Sequence, residues 1–202
     1  MVLFRRDRPT IVEQQPIEST KSIDVEWVDL FANRVFTANI NIDNEVIKQC
    51  LYNISASAPS AHVSNVFGYQ TSDCIRSREE LSELCEYATN FAKGLNPSLQ
   101  VDNMWGNINY KYAYNRAHVH PIAAFSGVYY AQAQDTHITF TDPRSGRIML
   151  GYNGFDPCDS PFSYSVPVKT GTMILFPSWL THEVPQNLND EDRISVAWNY
   201  KL

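Results

Sequence analysis

The spacing of apolar residues changes character near Pro97: before it they recur at helical intervals, and after it they fall in short alternating runs. Behind Asp43, a residue type suited to capping, Val46, Ile47, Cys50, Leu51 and Ile54 share one helical face, and Pro59 follows the end of that helix. Ser77 and Glu80 match a capping box, in which a hydroxyl and a carboxylate each satisfy a free backbone N–H. The helix they predict carries Leu81, Leu84, Cys85, Ala88 and Ala92 on one face and is closed by Gly94 and Pro97.

After Pro97 come β-type runs separated by turn residues: MWGNINYKYAY, AFSGVYYAQA, HITFTDP, RIMLGY, FSYSVPV, TMILFPSW and RISVAWNYKL. Two amphipathic helices followed by many strands predict an α+β domain in which the helices back a sandwich or barrel. Ile23–Leu30 and Arg34–Ile40 add candidate edge strands, residues 1–22 an extended arm, and residues 56–76 a long loop. No linker divides the chain, so 1–202 is expected to form a single domain.

Composition narrows the classes. Hydrophobic residues make up 44% and charged residues 19% of the 202, which is a globular balance with a core large enough to need no staples. A net charge of -6, with no basic run beyond Arg5 and Arg6, disfavours nucleic acid. Cys50, Cys74, Cys85 and Cys158 lack zinc-type spacing and are expected to be buried reduced thiols. Neither a signal-peptide core nor a membrane-length apolar run is present, and the expectation is a cytoplasmic protein with a small-molecule or peptide substrate and no membrane partner.

The candidate chemistry lies in NRAHVHP, where His118 and His120 stand one residue apart and, on a strand, would share a face. A third imidazole, His182, follows in PSWLTHEV, and DRISVAWN places Arg193, Ser195 and Ala197 on one face of its strand. Three histidines can hold a metal from one side, and zinc, iron, copper and nickel all accept imidazole. Should the DRISVAWN strand run beside that of His182, a guanidinium and a hydroxyl would enter the same cavity. Arginine pairs with a carboxylate through two parallel hydrogen bonds, which points to a dicarboxylic acid; the alternative is a surface ion pair with Glu191 or Asp192. Asn107, Asn109 and Tyr110 lie on the strand leading to His118, where they either reach a bound ligand or simply pair within the sheet. Of Tyr129 and Tyr130, adjacent on a strand, one is expected in the core and the other along the cavity.

The order HxH, SGVYY, FTDPR, ILFPSWLTHEV, DRISVAWN resembles the 2-oxoglutarate/Fe(II) oxygenases, the branch of the double-stranded β-helix superfamily that includes prolyl hydroxylases. The resemblance implies a jelly-roll core in the second half, with Fe(II), 2-oxoglutarate and O2 as cofactor and cosubstrates. It implies that His118 and His182 are iron ligands and that Arg193, with Ser195, binds the remote carboxylate, while Tyr110 and Asn107 are candidates for further cosubstrate contacts. Most of that superfamily has Asp or Glu two residues after the first ligand, and here the residue is His120. A carboxylate from elsewhere is the alternative, with Asp142 nearest and Glu183 on the opposite face from His182. The implied activity is hydroxylation coupled to decarboxylation of 2-oxoglutarate. Its rivals are a three-His, cupin-like metal dioxygenase without 2-oxoglutarate and a non-catalytic jelly-roll module.

Overall fold

The first helix forms where its pattern predicts. In the computed structural model, which describes residues 33–61, 63–72, 74–144 and 163–202, α1 spans Asn44–Ser57 and the Asp43 carboxylate accepts the backbone N–H of Glu45 at 3.0 Å. Ile47, Cys50, Leu51 and Ile54 are buried, as their spacing requires, whereas Val46 is 41% exposed.

The start of the second helix departs from expectation. A single 3-10 turn (Glu79–Leu81) leads into α2 (Ser82–Leu95), and neither N-cap residue makes a side-chain cap. Ser77 is instead enclosed in a turn, with Arg78 N–H donating to Ile75 O, so the Ser77/Glu80 capping box does not form. Gly94 lies inside the helix; closure comes from Asn96, whose N–H donates to Ala92 O and whose side chain accepts from Ser98 N–H. Leu81, Leu84, Ala88 and Ala92 are buried, and Cys85 is half-buried. Of the cysteines expected to be buried, Cys74 is exposed, because it sits in the loop before the 3-10 turn, and Cys158 lies outside the described residues.

The strands are β1 (Phe36–Asn39), β2 (Asn65–Val66), β3 (Tyr69–Gln70), β4 (Gln100–Asn109), β5 (Tyr114–His118) and β6 (Phe125–Gln132), then β7 (Thr136–Thr141), β8 (Ser163–Val168), β9 (Thr172–Pro177), β10 (Thr181–Val184) and β11 (Arg193–Lys201). They form two antiparallel sheets, of order β1-β9-β6-β11-β4-β3 and β2-β5-β10-β7-β8. From β4 onward the chain crosses repeatedly between sheets, which is consistent with a double-stranded β-helix backed by helices. The arm at 1–22, the strand expected at Ile23–Leu30 and the RIMLGY run fall outside the described residues. Among the described residues, no helix is long and apolar enough to cross a membrane.

Period-two alternation sorts the larger sheet into a helix-facing side and an inner side. Ile194, Val196, Trp198 and Tyr200 of β11 join Met104 and Ile108 of β4 in the core beneath α1 and α2. The intervening residues of β11 turn toward the second sheet, where Ala197 packs with Val128, Tyr130, Ile138, Phe140 and Phe176. Trp198 is fully buried and lies directly over Gly127, its partner across the β6–β11 ladder; a Cβ at Gly127 would overlap the indole. Gly127→Ala is therefore expected to cost about 1–3 kcal/mol through overpacking. Urea unfolding should show less than the additive loss when Gly127→Ala is combined with Trp198→Leu, which frees the space.

Candidate metal centre and anion pocket

The three histidines meet at one end of the smaller sheet. β5 and β10 are antiparallel neighbours with His118 directly opposite His182, and Glu183 faces outward, exposed. His118 is the last residue of β5, whereas His120 lies beyond the strand, tied by its backbone N–H to Ser178 O at 2.9 Å. The HxH thus straddles a strand end. Ring centroids are 4.3 Å apart for His118–His182, 5.1 Å for His118–His120 and 5.0 Å for His120–His182. One nitrogen from each ring lies within 4.8 Å of the others, a cluster able to hold a metal ion.

Hydrogen bonding decides which nitrogen each ring presents. His118 Nδ1 lies 2.7 Å from Arg116 O, and His182 Nδ1 lies 2.9 Å from Leu180 O. A carbonyl oxygen only accepts, so each Nδ1 carries the proton and each Nε2 keeps its lone pair. His120 Nδ1 lies 2.8 Å from Asn199 Oδ1 and 2.6 Å from Ser126 Oγ, and Ser126 Oγ donates to Asn199 Oδ1 at 2.8 Å. The amide oxygen therefore takes the His120 proton, and Nε2 is again the free nitrogen. Ligating histidines characteristically have the second nitrogen held in this way. Ser126 and Asn199 are direct partners across β6 and β11, in the opposite sheet.

Burial also keeps the rings neutral. Desolvation, reinforced by His118, pushes His120 down to about 4; desolvation, then His118 and more weakly His120, pushes His182 to about 3. His118 is lowered too, by desolvation and by the charge of Arg116, against an opposing backbone hydrogen bond. Neutral imidazoles with converging lone pairs are the form that binds a cation, so these residues fit a metal.

Across the cavity stands Arg193, only 3% exposed. Its Nη1 donates to Pro185 O at 2.8 Å and to Thr136 Oγ1 at 3.2 Å, while its Nη2 is buried without a hydrogen-bond partner. No ion pair to Glu191 or Asp192 forms, and desolvation lowers the guanidinium pKa. The same cavity is lined by Tyr130, whose buried hydroxyl also lacks a partner and whose pKa burial pushes up to about 12. An unpaired buried cation is costly, and an anion bound beside it removes that cost.

Of the residues singled out from the sequence, His118, His120, His182, Arg193, Ser195 and Asn107 all line this cavity. Tyr110 does not: it is 41% exposed and outside the lining, because the chain turns away at the end of β4. Asn109 is fully buried but outside the lining as well. Tyr130 is the cavity-lining member of its pair, and Tyr129 donates to Asn44 Oδ1 at 2.7 Å on the helix side. Arg193 does not arrive on a strand beside His182; β11 belongs to the other sheet and faces β10 across the interior. Asp142 is bound by Arg144, whose Nε lies 2.8 Å from Oδ1, and among the described residues no carboxylate joins the histidine cluster. Ser126 and Asn199 were missed, although the alternation through Arg193, Ser195 and Ala197 extends to Asn199.

A family model described as "Putative 2OG-Fe(II) oxygenase" matches residues 103–199, the span containing the three histidines, Ser126, Tyr130, Arg193 and Asn199. That span is just under half of the chain. Among solved structures similar to it, the non-heme α-ketoglutarate-dependent epimerase SnoN from nogalamycin biosynthesis is 15% identical, with a TM-score of 0.61 over 84% of this chain and 78% of that one. HygX from Streptomyces hygroscopicus, solved with nickel and 2-oxoglutarate bound, is 11% identical, with a TM-score of 0.58 over 83% and 82% of the two chains. A Pseudomonas putida prolyl-4-hydroxylase is 12% identical, with a TM-score of 0.57 over 84% and 94%. At these identities the structural likeness concerns the fold alone. No curated protein matches the chain in sequence. The family match over this span and the three-histidine cluster together support catalytic potential at a metal site.

Two outcomes are expected. Replacing Asn199 with Leu removes the amide oxygen that accepts from His120 Nδ1, leaving only Ser126 Oγ beside it, and should weaken Co(II) affinity roughly 10- to 100-fold in a competitive titration. The second concerns acid stability. Because the folded pKa values of His120 and His182 lie below the ordinary 6.5, the unfolded chain binds more protons once the pH falls below 6.5. Their stabilising effect is complete above that value and is lost as the pH falls toward 3. Between pH 7 and 5 each should account for about 2 kcal/mol of lost stability in metal-free protein. Urea midpoints of His182→Gln should accordingly fall less steeply than those of the wild type.

Proposed function

We propose that the protein is a non-haem Fe(II) dioxygenase that couples oxidative decarboxylation of 2-oxoglutarate to hydroxylation of an organic substrate. The observation that carries this reading is the buried guanidinium of Arg193, with its unpartnered Nη2, in the same cavity as three Nε2 atoms with free lone pairs. That arrangement suits a ligand with a metal-binding group at one end and a carboxylate at the other, as 2-oxoglutarate is. HygX has been solved with nickel and 2-oxoglutarate bound, which supports the same assignment here.

In this reading His118, His120 and His182 hold the iron through Nε2. When bound, iron supplies activation of O2 coupled to conversion of 2-oxoglutarate into succinate and CO2, and with it the oxidising power for a C–H bond. Arg193 anchors the remote carboxylate, with the Tyr130 hydroxyl and Ser195 as further donors lining the cavity. The apolar wall of Val128, Ile138, Phe176, Val184 and Ala197 limits water and strengthens those charge-assisted bonds. The charges balance as well: a divalent ion and a dianion sum to zero when all three ligands are neutral imidazoles. A three-His dioxygenase that does not use 2-oxoglutarate would leave Arg193 buried without an anion.

Arg193→Gln should weaken 2-oxoglutarate binding by about 2 kcal/mol or more, roughly thirtyfold, while metal affinity stays unchanged in anaerobic calorimetry. Unaltered cosubstrate affinity would remove Arg193 from this role. His182→Ala is expected to abolish metal binding, and succinate release by the wild type separates this activity from metal dioxygenases that do not consume 2-oxoglutarate.

A further inference from the structure

A second, wider groove of about 410 Å³ adjoins the histidine cluster, and His118 and His120 line it as well as the inner cavity. Trp105 is likewise shared, its indole edge-on to His120 at 5.3 Å between centroids. Any substrate reaching the metal cluster from this side passes over those three rings.

The lining of the groove has a definite chemical character. Apolar surface comes from Trp105, Val63, Val119 and Pro121; neutral polar groups such as Thr71, Asn103 and Asn199 complete it. The one permanently charged side chain among the described lining residues is Arg116, and no Asp or Glu is among them. Arg116 is held in place: its backbone N–H donates to Ser64 O at 3.1 Å, and its Nη2 donates to Val63 O at 2.5 Å. Those bonds leave Nε and Nη1 for other acceptors, and among the described residues no carboxylate pairs with it.

We infer that Arg116 selects the substrate, and that the substrate is a small organic acid whose carboxylate or phosphate pairs with this guanidinium while its apolar body lies on Trp105, Val63 and Val119. This rests on the function proposed above and extends it to the substrate. A cationic substrate would find no counter-charge among the described lining residues of the groove. A polyanion such as nucleic acid would find a single arginine on a chain of net charge -6, too little to hold a phosphate backbone. A monoanion or phosphate ester meets one fixed cation, which can bind it bidentately. His120 in place of a carboxylate contributes too: three neutral ligands remove a negative charge that would repel an acid bound alongside.

The test uses metal-substituted protein, Ni(II) with saturating 2-oxoglutarate, and four probes that share a phenyl group: 3-phenylpropanoate, 2-phenylethyl phosphate, 3-phenylpropanamide and 3-phenylpropylamine. Calorimetry should show at least one acid binding about tenfold or more tighter than the neutral amide, with the amine weakest. The better acid identifies the anion. Arg116→Gln should bring the acids and the amide to within about twofold, Arg116→Lys should retain part of the preference, and Arg116→Glu should turn it toward the amine. Thermal unfolding checks that each variant is folded. Equal binding of acid and amide by the wild type, persistence of the preference in Arg116→Gln, or no binding of either acid at millimolar concentration would overturn the inference. Titrating 2-oxoglutarate into the same preparations separates the two readings. Normal cosubstrate binding without acid preference defeats only the role of Arg116. Absent cosubstrate binding with an Arg116-dependent acid preference defeats only the 2-oxoglutarate assignment.

Discussion

An imidazole can hold a metal only when it is neutral and presents a bare nitrogen, and the site is organised around those two requirements. Burial supplies neutrality. Occupying each Nδ1 supplies the bare nitrogen, and the fold does this by two different routes. His118 and His182 are each locked by the carbonyl two residues earlier in their own chain segment, Arg116 and Leu180. His120 has left its strand and is locked from the other sheet, by Asn199 and Ser126. Two of the rings are thus oriented locally, and the third is oriented by the closing of the sandwich. The geometry of the cluster therefore depends on the spacing between sheets, which close packing holds within narrow limits.

The opposite wall presents the complementary problem. Arg193 is a cation enclosed by strands, with neutral oxygens from Pro185 and Thr136 on one of its terminal nitrogens. Those contacts hold the guanidinium in one orientation without cancelling its charge. Nη2 and the Tyr130 hydroxyl remain as buried donors along the same cavity, an arrangement that costs stability in the free protein and favours an anionic occupant. A carboxylate ligand in place of His120 would have placed a negative charge within the same low-dielectric space. A neutral histidine leaves the arginines on either side of the cluster as the groups that set the sign of the local potential.

Core and site are two faces of the same strands. On β11, Ile194, Val196 and Trp198 pack beneath the helices while Arg193, Ser195 and Ala197 line the cavity, so a one-residue slip in register would exchange them. The contact of Trp198 with Gly127 pins that register on the core side. The pairing of Asn199 with Ser126 uses it on the cavity side. Helix packing and the orientation of the His120 ring are linked through a single ladder.

How much of this was legible in the sequence follows from the range of the forces involved. Short-range periodicity alone placed α1 and its Asp43 cap, most of the α2 face, the strands β4, β6, β7, β8, β9 and β11, and the shared face of Arg193, Ser195 and Ala197. These features depend on side-chain direction, which backbone geometry sets over a few residues. The capping box at Ser77 failed because a turn closed by Ile75 and Arg78 competed for the same segment, an outcome that depends on where the chain must travel next. Tyr110 resembled a cavity residue by proximity to His118, yet it is exposed where the chain leaves β4, and Tyr130 from another strand lines the cavity. Ser126 carried no signal as an isolated polar residue, and Asn199 carried only its place on the face of Arg193, Ser195 and Ala197. Their role exists only because β6 and β11 pair in one register and His120 reaches across to them. The sequence by itself determined which residues share a face and which donor types were available. Tertiary structure decided that His182 and Arg193 approach from opposing sheets, because sheet assignment depends on long-range pairing that no local pattern encodes.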